Sequence, residues 1–240
     1  MDLLHSRLGH VAQTLTSRIN KAITGLESVR DQLTSETGRM LQRPARSDFS
    51  FLAPHFHDFL LAQQDLIEGA GIAYEPSSLA DADHWIEWWR TQVDGTPRFI
   101  SHDLNRKSLR FYDYSSRDWF KKPRSLGRPM VIGPYVDMGG IDVNTVTITV
   151  PAQTSDGTHV LGCDVSLSAL EEMFIKALQT LELEVLLIGS NARVITSTAP
   201  RLVTGSLADP HAHSVRSVLP LCAEDPERLP WQLVVMESQQ

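Results

Sequence analysis

The chain has 240 residues, 42% hydrophobic and 21% charged, which suits one large domain or one domain with an appendage. A formal net charge of -7 argues against a broad phosphate-binding face, so no nucleic-acid partner is expected. The two cysteines, Cys163 and Cys222, make no disulfide framework, and their pairing stays open.

From Leu4 the apolar residues Leu8, Val11, Leu15, Ile19, Ile23, Leu26, Val29 and Leu33 recur three or four apart, which predicts one long amphipathic helix ending near Gly38. At 1.5 Å per residue it runs on the order of 45 Å. Two packings are open for it: back against the chain's own core, or against a second copy through a helix-mediated homodimer. The mixed N-terminus has no continuous signal-peptide core, and no run approaches about 18 apolar residues, so no membrane segment is expected. On that reading the chain is cytoplasmic as given, and periplasmic if it is a fragment trimmed from a receptor.

Pro44 breaks the pattern, and a second helix is predicted from about Phe51 to Gly71, closed by the glycines of GAG. A third is predicted over 79-LADADHWIEWWRTQ-92 with Ser78 as its cap, placing Trp85, Trp88 and Trp89 on one face as core or pocket wall. Past Gly95 strands take over. Ser108 to Tyr114 alternates, and 145-TVTITV-150 sets Val146, Ile148 and Val150 against threonines. Asp156-Gly157 turns the chain into a partner strand, 159-HVLGCDV-165. Ser166 or Ser168 caps a helix carrying LEEMFIKAL. Strands follow at 183–189, 193–198 and 231–236, with 199–230 read as irregular connection. Helices and strands that do not alternate as βαβ give an α+β fold with an antiparallel sheet.

The pairs His55/His57 and His211/His213 invite a metal reading, but no cysteine or carboxylate cluster accompanies them at zinc-like spacing. On a helix, His55 and His57 also point about 200 degrees apart. No metal and no cofactor are expected. No nucleophile elbow, zinc-protease, P-loop or dinucleotide motif is present, and no catalytic residue is assigned.

The stretch 112-YDYSSRDWF-120 carries the distinctive chemistry. An arginine fork beside an indole donor matches a carboxylate, phenols supply walls and hydroxyls, and a partly desolvated carboxylate elsewhere holds an ammonium. Both ends together describe a free amino acid. The alternative is that Arg117 pairs with Asp118 or Asp113 at the surface while Trp119 is core.

With 131-VIGPYVD-137, TVTITVPA and LGCDVSLSALEEMF, the sequence resembles the Cache sensor domains, which are PAS-like modules of bacterial receptors. It is similar to their amino-acid-binding, double Cache branch. Tyr112, Arg117, Trp119, Phe120, Tyr135 and Asp164 fall in register with that branch's pattern, Phe120 standing where a tyrosine is frequent. The resemblance implies that Arg117 and Trp119 hold a ligand carboxylate. Asp164, Tyr112 and Tyr135 hold its amino group, with Asp137 a secondary ammonium contact. It implies a PAS-like fold divided as 1–42 helix, 43–200 ligand-binding domain, and 201–240 extension or reduced second lobe. The expected function is a small-molecule sensor, not an enzyme, that signals by conformational change to a regulatory partner or second copy. Three alternatives are an amine or polyamine sensor that leaves Arg117 idle, a small-molecule enzyme using Asp137 or Asp164 as base, and a dimerisation module with a vestigial pocket.

Overall fold

A computed structural model describes residues 3–38, 42–138, 144–179, 183–209 and 214–237. Helix α1, Leu3–Thr37, carries the predicted apolar stripe, and Leu8 through Leu33 are buried along it. The stripe packs on the chain's own core, against α2 (Leu52–Ala62) and the central strands, while Gln13, Ser17, Asn20 and Thr24 face outward. The first of the two packings is therefore the one adopted.

The strands run β1 Ile67–Ala73, β2 Ile86–Thr91, β3 Pro97–Phe99, β4 Met130–Val136, β5 Asn144–Thr154, β6 Gly157–Val165, β7 Val185–Ile188, β8 Val194–Ser197, β9 Val215–Pro220 and β10 Gln232–Met236. Among the described residues they form two antiparallel sheets, ordered β3-β2-β1-β6-β5-β4 and β8-β7-β10-β9. Helix α3, Asp118–Leu126, lies over β4, β5 and β6 of the first sheet, and α4, Leu167–Leu178, follows β6 directly. The fold is α+β, a long N-terminal helix with antiparallel sheets. Among the described residues no helix is long and apolar enough to cross a membrane.

The β5–β6 hairpin forms as the alternation predicts: Val146, Ile148 and Val150 enter the core under α1, and Thr145, Thr147 and Thr149 take the opposite face. Ser166 caps α4, its hydroxyl accepting from the Ala169 amide at 3.3 Å.

Four expectations are corrected. The helix expected to Gly71 stops at Ala62, and the glycines belong to β1. They are glycines because β2 passes close by: a Cβ on Gly71 would sit 1.9 Å from the Glu87 carbonyl oxygen. The tryptophan run is strand β2, not a helix, so Trp88 and Trp89 point to opposite faces and Trp89 stacks on Phe56 at 5.4 Å. Ser108 to Tyr114 is a chain of turns leading into a 3-10 turn at Tyr114–Ser116. The segment 199–230 is not wholly irregular, since it contributes β9.

Candidate functional site

The threonine face of the first sheet, opposite α1, is covered by α3 and the turns that precede it. Their aromatic side chains form a cluster of their own with Ile86 and Trp88. Between sheet and cover lies a cavity lined by Ile86, Trp88, His102, Tyr112, Trp119, Tyr135, Asp137, Thr147 and Asp164. It has ≈ 20 Å³ of room for water centres, space for about one water molecule.

The strands deliver these side chains by their period of two. Ile86 and Trp88 come from β2, Tyr135 from the end of β4 and Asp137 from just past it, and Thr147 and Asp164 are cross-strand partners on β5 and β6. Strand β4 bulges between Ile132 and Tyr135, which re-aims the residues beyond it. Gly133 at the bulge has φ of 128°, and a Cβ there would meet the Thr145 carbonyl oxygen at 2.7 Å, so the bend needs glycine.

Two carboxylates face the cavity. Asp164 accepts from the Thr147 hydroxyl at 2.8 Å. Because Thr147 has one hydroxyl proton, the Tyr135 hydroxyl, 2.7 Å away, donates to it. Asp137 accepts from the Tyr112 hydroxyl at 2.8 Å. Burial is the main cause that pushes Asp164 up to about 7; the Thr147 hydroxyl opposes it, and the charges of Asp137 and Glu68 add to it. Burial, with the charges of Asp137 and Asp164, raises both the Tyr112 and Tyr135 phenols, so both stay neutral donors at physiological pH. Such a cavity favours a cation that brings its own donors.

Of the seven residues expected at a ligand site, Tyr112, Trp119, Tyr135, Asp137 and Asp164 line this cavity. Arg117 stands at its rim as the N-cap residue of α3. Its guanidinium lies 5.7 Å from the Tyr112 ring centre and donates to the Met138 carbonyl oxygen at 2.7 Å. Arg117 Nε is buried with no partner among the described residues. The surface pairing considered for it is not formed: Asp118 pairs with Lys122 at 3.0 Å and Asp113 accepts from Ser115 at 2.6 Å. Arg117 opens instead onto an outer groove of ≈ 830 Å³ that shares the Trp119 and Tyr135 rings with the cavity. Phe120 packs behind the wall, edge-on to Tyr114 at 5.1 Å and Trp119 at 6.0 Å, with the Arg124 guanidinium over its other side.

Trp88, expected as core or pocket wall, completes the lining with Thr147, His102 and Ile86, which the sequence reading does not single out. His57 lies edge-on to Trp89 at 5.7 Å, and His211 and His213 lie outside the described residues.

Residues 58–172 match the family model of the first PDC sensor domain of proteins like methyl-accepting chemotaxis proteins. This segment is a PDC, or Cache, sensor domain. A likeness in fold to solved structures extends over nearly the whole chain. Methyl-accepting chemotaxis protein X superposes with a TM-score of 0.70 at 14% identity, covering 98% of this chain and 96% of its own. The extracellular domain of soHK1S-Z6 gives 0.64 at 16%, covering 97% and 93%. The ligand-binding domain of the Pseudomonas aeruginosa amino-acid chemoreceptor PctC, solved with GABA, gives 0.60 at 17%, covering 96% and 99%. At these identities the likeness is one of fold. No curated protein matches in sequence. The matched segment is thus a sensor domain by family, and a cavity lies between its sheet and the α3 cover.

Proposed function

We propose that this Cache domain senses a free amino acid. Asp164, assisted by Asp137 and the Tyr112 and Tyr135 hydroxyls, takes the ammonium group, while Arg117 and Trp119 take the carboxylate. The observation that carries the reading is the buried Asp164, pushed up to about 7 beside a second carboxylate, which gains most from a cation entering the cavity. Arg117 Nε supplies a cationic donor at the rim that is unengaged among the described residues. The cavity as it stands is too small for an amino acid, so entry requires the α3 cover and its preceding turns to move outward from the sheet. PctC, similar in fold, binds GABA, which likewise carries an ammonium and a carboxylate.

A second reading, an amine without a carboxylate, draws on the position of Arg117, whose guanidinium faces the outer groove and a backbone carbonyl. Calorimetry with the twenty amino acids and a panel of amines identifies the ligand, and Arg117→Ala separates the readings. Amino-acid affinity falls by about 1.5 to 3 kcal/mol if the arginine holds a carboxylate. Unchanged affinity supports the amine.

The domain is proposed to work outside the cytoplasm, as the extracellular domain of soHK1S-Z6 does, and to signal through the polar outer face of α1 toward a second copy. Sedimentation equilibrium with and without ligand checks the second point: a mass that stays monomeric at high concentration in both states would refute it.

A further inference from the structure

The cavity's hydroxyl groups are already engaged. Thr147 donates to Asp164, Tyr135 to Thr147, and Tyr112 to Asp137. These bonds organise the end of the cavity that would receive an ammonium. His102 differs from all of them. Its ring stacks on Tyr112 at 5.1 Å and 22°, it lines the same cavity, and its Nδ1 is buried with no hydrogen-bond partner among the described residues.

A buried ring nitrogen that has lost water and found nothing in its place is costly to leave so, and a ligand group that reaches it recovers that cost. We infer that His102 reads the ligand's side chain, and that the site prefers a ligand carrying a neutral hydrogen-bonding group, a hydroxyl or an amide, close to its ammonium. The inference rests on the ammonium-binding reading of Asp164 given above.

The preference follows from three features. Burial holds the imidazole below its ordinary pKa, so it enters the cavity neutral and does not repel the ammonium. A neutral imidazole nitrogen donates or accepts according to tautomer, so it serves either a hydroxyl or an amide. The remaining wall near it, Ile86 and the ring faces, offers apolar contact to a polar side chain and its apolar isostere alike, leaving the hydrogen bond to discriminate.

The test uses pairs of nearly equal shape: threonine and valine, asparagine and leucine, and, for a ligand without a carboxylate, 2-aminoethanol and propylamine. Affinities are measured by calorimetry on the wild-type chain and on His102→Phe and His102→Leu, with melting curves to show that each variant is folded. In every pair that binds, the wild type favours the polar member at least tenfold, and both variants bring the ratio below threefold. Equal or better binding of the apolar member to the wild type overturns the inference while leaving the ammonium site standing. So does a ratio that survives in both variants. Failure of every member to bind the wild type overturns the ammonium reading itself and this inference with it.

Discussion

Asp164 is held in a state its surroundings oppose. Its folded-state pKa of about 7 lies above the ordinary carboxylate value of 3.8, so between those values the folded chain holds a proton that the unfolded chain has released. Stability of the ligand-free protein therefore falls as pH rises from about 4 to about 7, and the penalty, on the order of a few kcal/mol, is fully present above that. Asp164→Asn removes it: the variant melts higher than the wild type at pH 8, matches it near pH 4, and loses at least tenfold in affinity for a cationic ligand. Scanning fluorimetry and calorimetry read the two effects, and a lower melting temperature at pH 8 would contradict the account. An ammonium needs the ionised carboxylate, so affinity should weaken roughly tenfold per unit as pH falls from about 7 toward 5. A flat calorimetric profile over that range would assign the ammonium to another group. At this scale the acid was readable from its position at the end of a strand, but its partners were not. Thr147 could have been found by counting seven residues back on each strand from the Thr154–Gly157 pair at the hairpin turn, which puts it opposite Asp164. Trp88 was legible as core or pocket wall but its strand was not, and His102 was not legible because it comes from a loop.

The elements most easily misread are the ones that build the cavity floor. Strand β1, IEGAGIA, is buried on both faces, and its glycines look like a helix terminus when only local rules are applied. Their cause is tertiary: Gly71 admits the β2 backbone, and a Cβ on Gly69 would lie 3.0 Å from the Trp88 indole nitrogen and 3.5 Å from an Asp164 carboxylate oxygen. The tryptophans of β2 were misassigned for a related reason, since three large apolar residues fit a helical stripe as well as a strand buried on both sides. By contrast α1, the β5–β6 hairpin and α4 carry periodicity, turn and cap signals that agree with one another, and they form as expected. The close approach at Gly71 gives a test at this scale. Gly71→Ala forces the central strands apart and should cost at least about 3 kcal/mol by denaturant unfolding. A loss below about 1 kcal/mol would show that the strands part freely.

For the molecule as a whole, the way the two sheets meet bears on how a bound ligand could be felt at a distance. Strand β4 and the residue just past it carry Tyr135 and Asp137 into the cavity, and the strand's bulge abuts the turn between β7 and β8, where a Cβ on Gly189 would come within 2.6 Å of the Gly133 carbonyl oxygen. The sheets are further joined where Arg128 pairs with Asp225 at 3.3 Å and the Val131 amide donates to the Arg228 carbonyl oxygen at 3.2 Å. Gly189→Ala should push the bulge toward the cavity, cost about 1 to 3 kcal/mol of stability, and weaken ligand binding although it touches no ligand. A variant that loses stability but binds with wild-type affinity would show that the junction does not speak to the site. None of this junction could be read from the sequence, because it depends on two glycines far apart in the chain and on a strand, β9, hidden in a segment rich in turn-forming residues.

Helix α1 lies along the first sheet, and more than three turns into it the Thr16 hydroxyl also donates to the Leu221 carbonyl oxygen just past β9, at 3.0 Å. One continuous rod is thus fastened to both layers. If the layers change their mutual pitch, the rod must lean or slide as a unit, because a helix yields far less along its axis than the loops around it do. Any small displacement at the cavity would then emerge, enlarged by leverage, at whichever end of the rod is least tightly held.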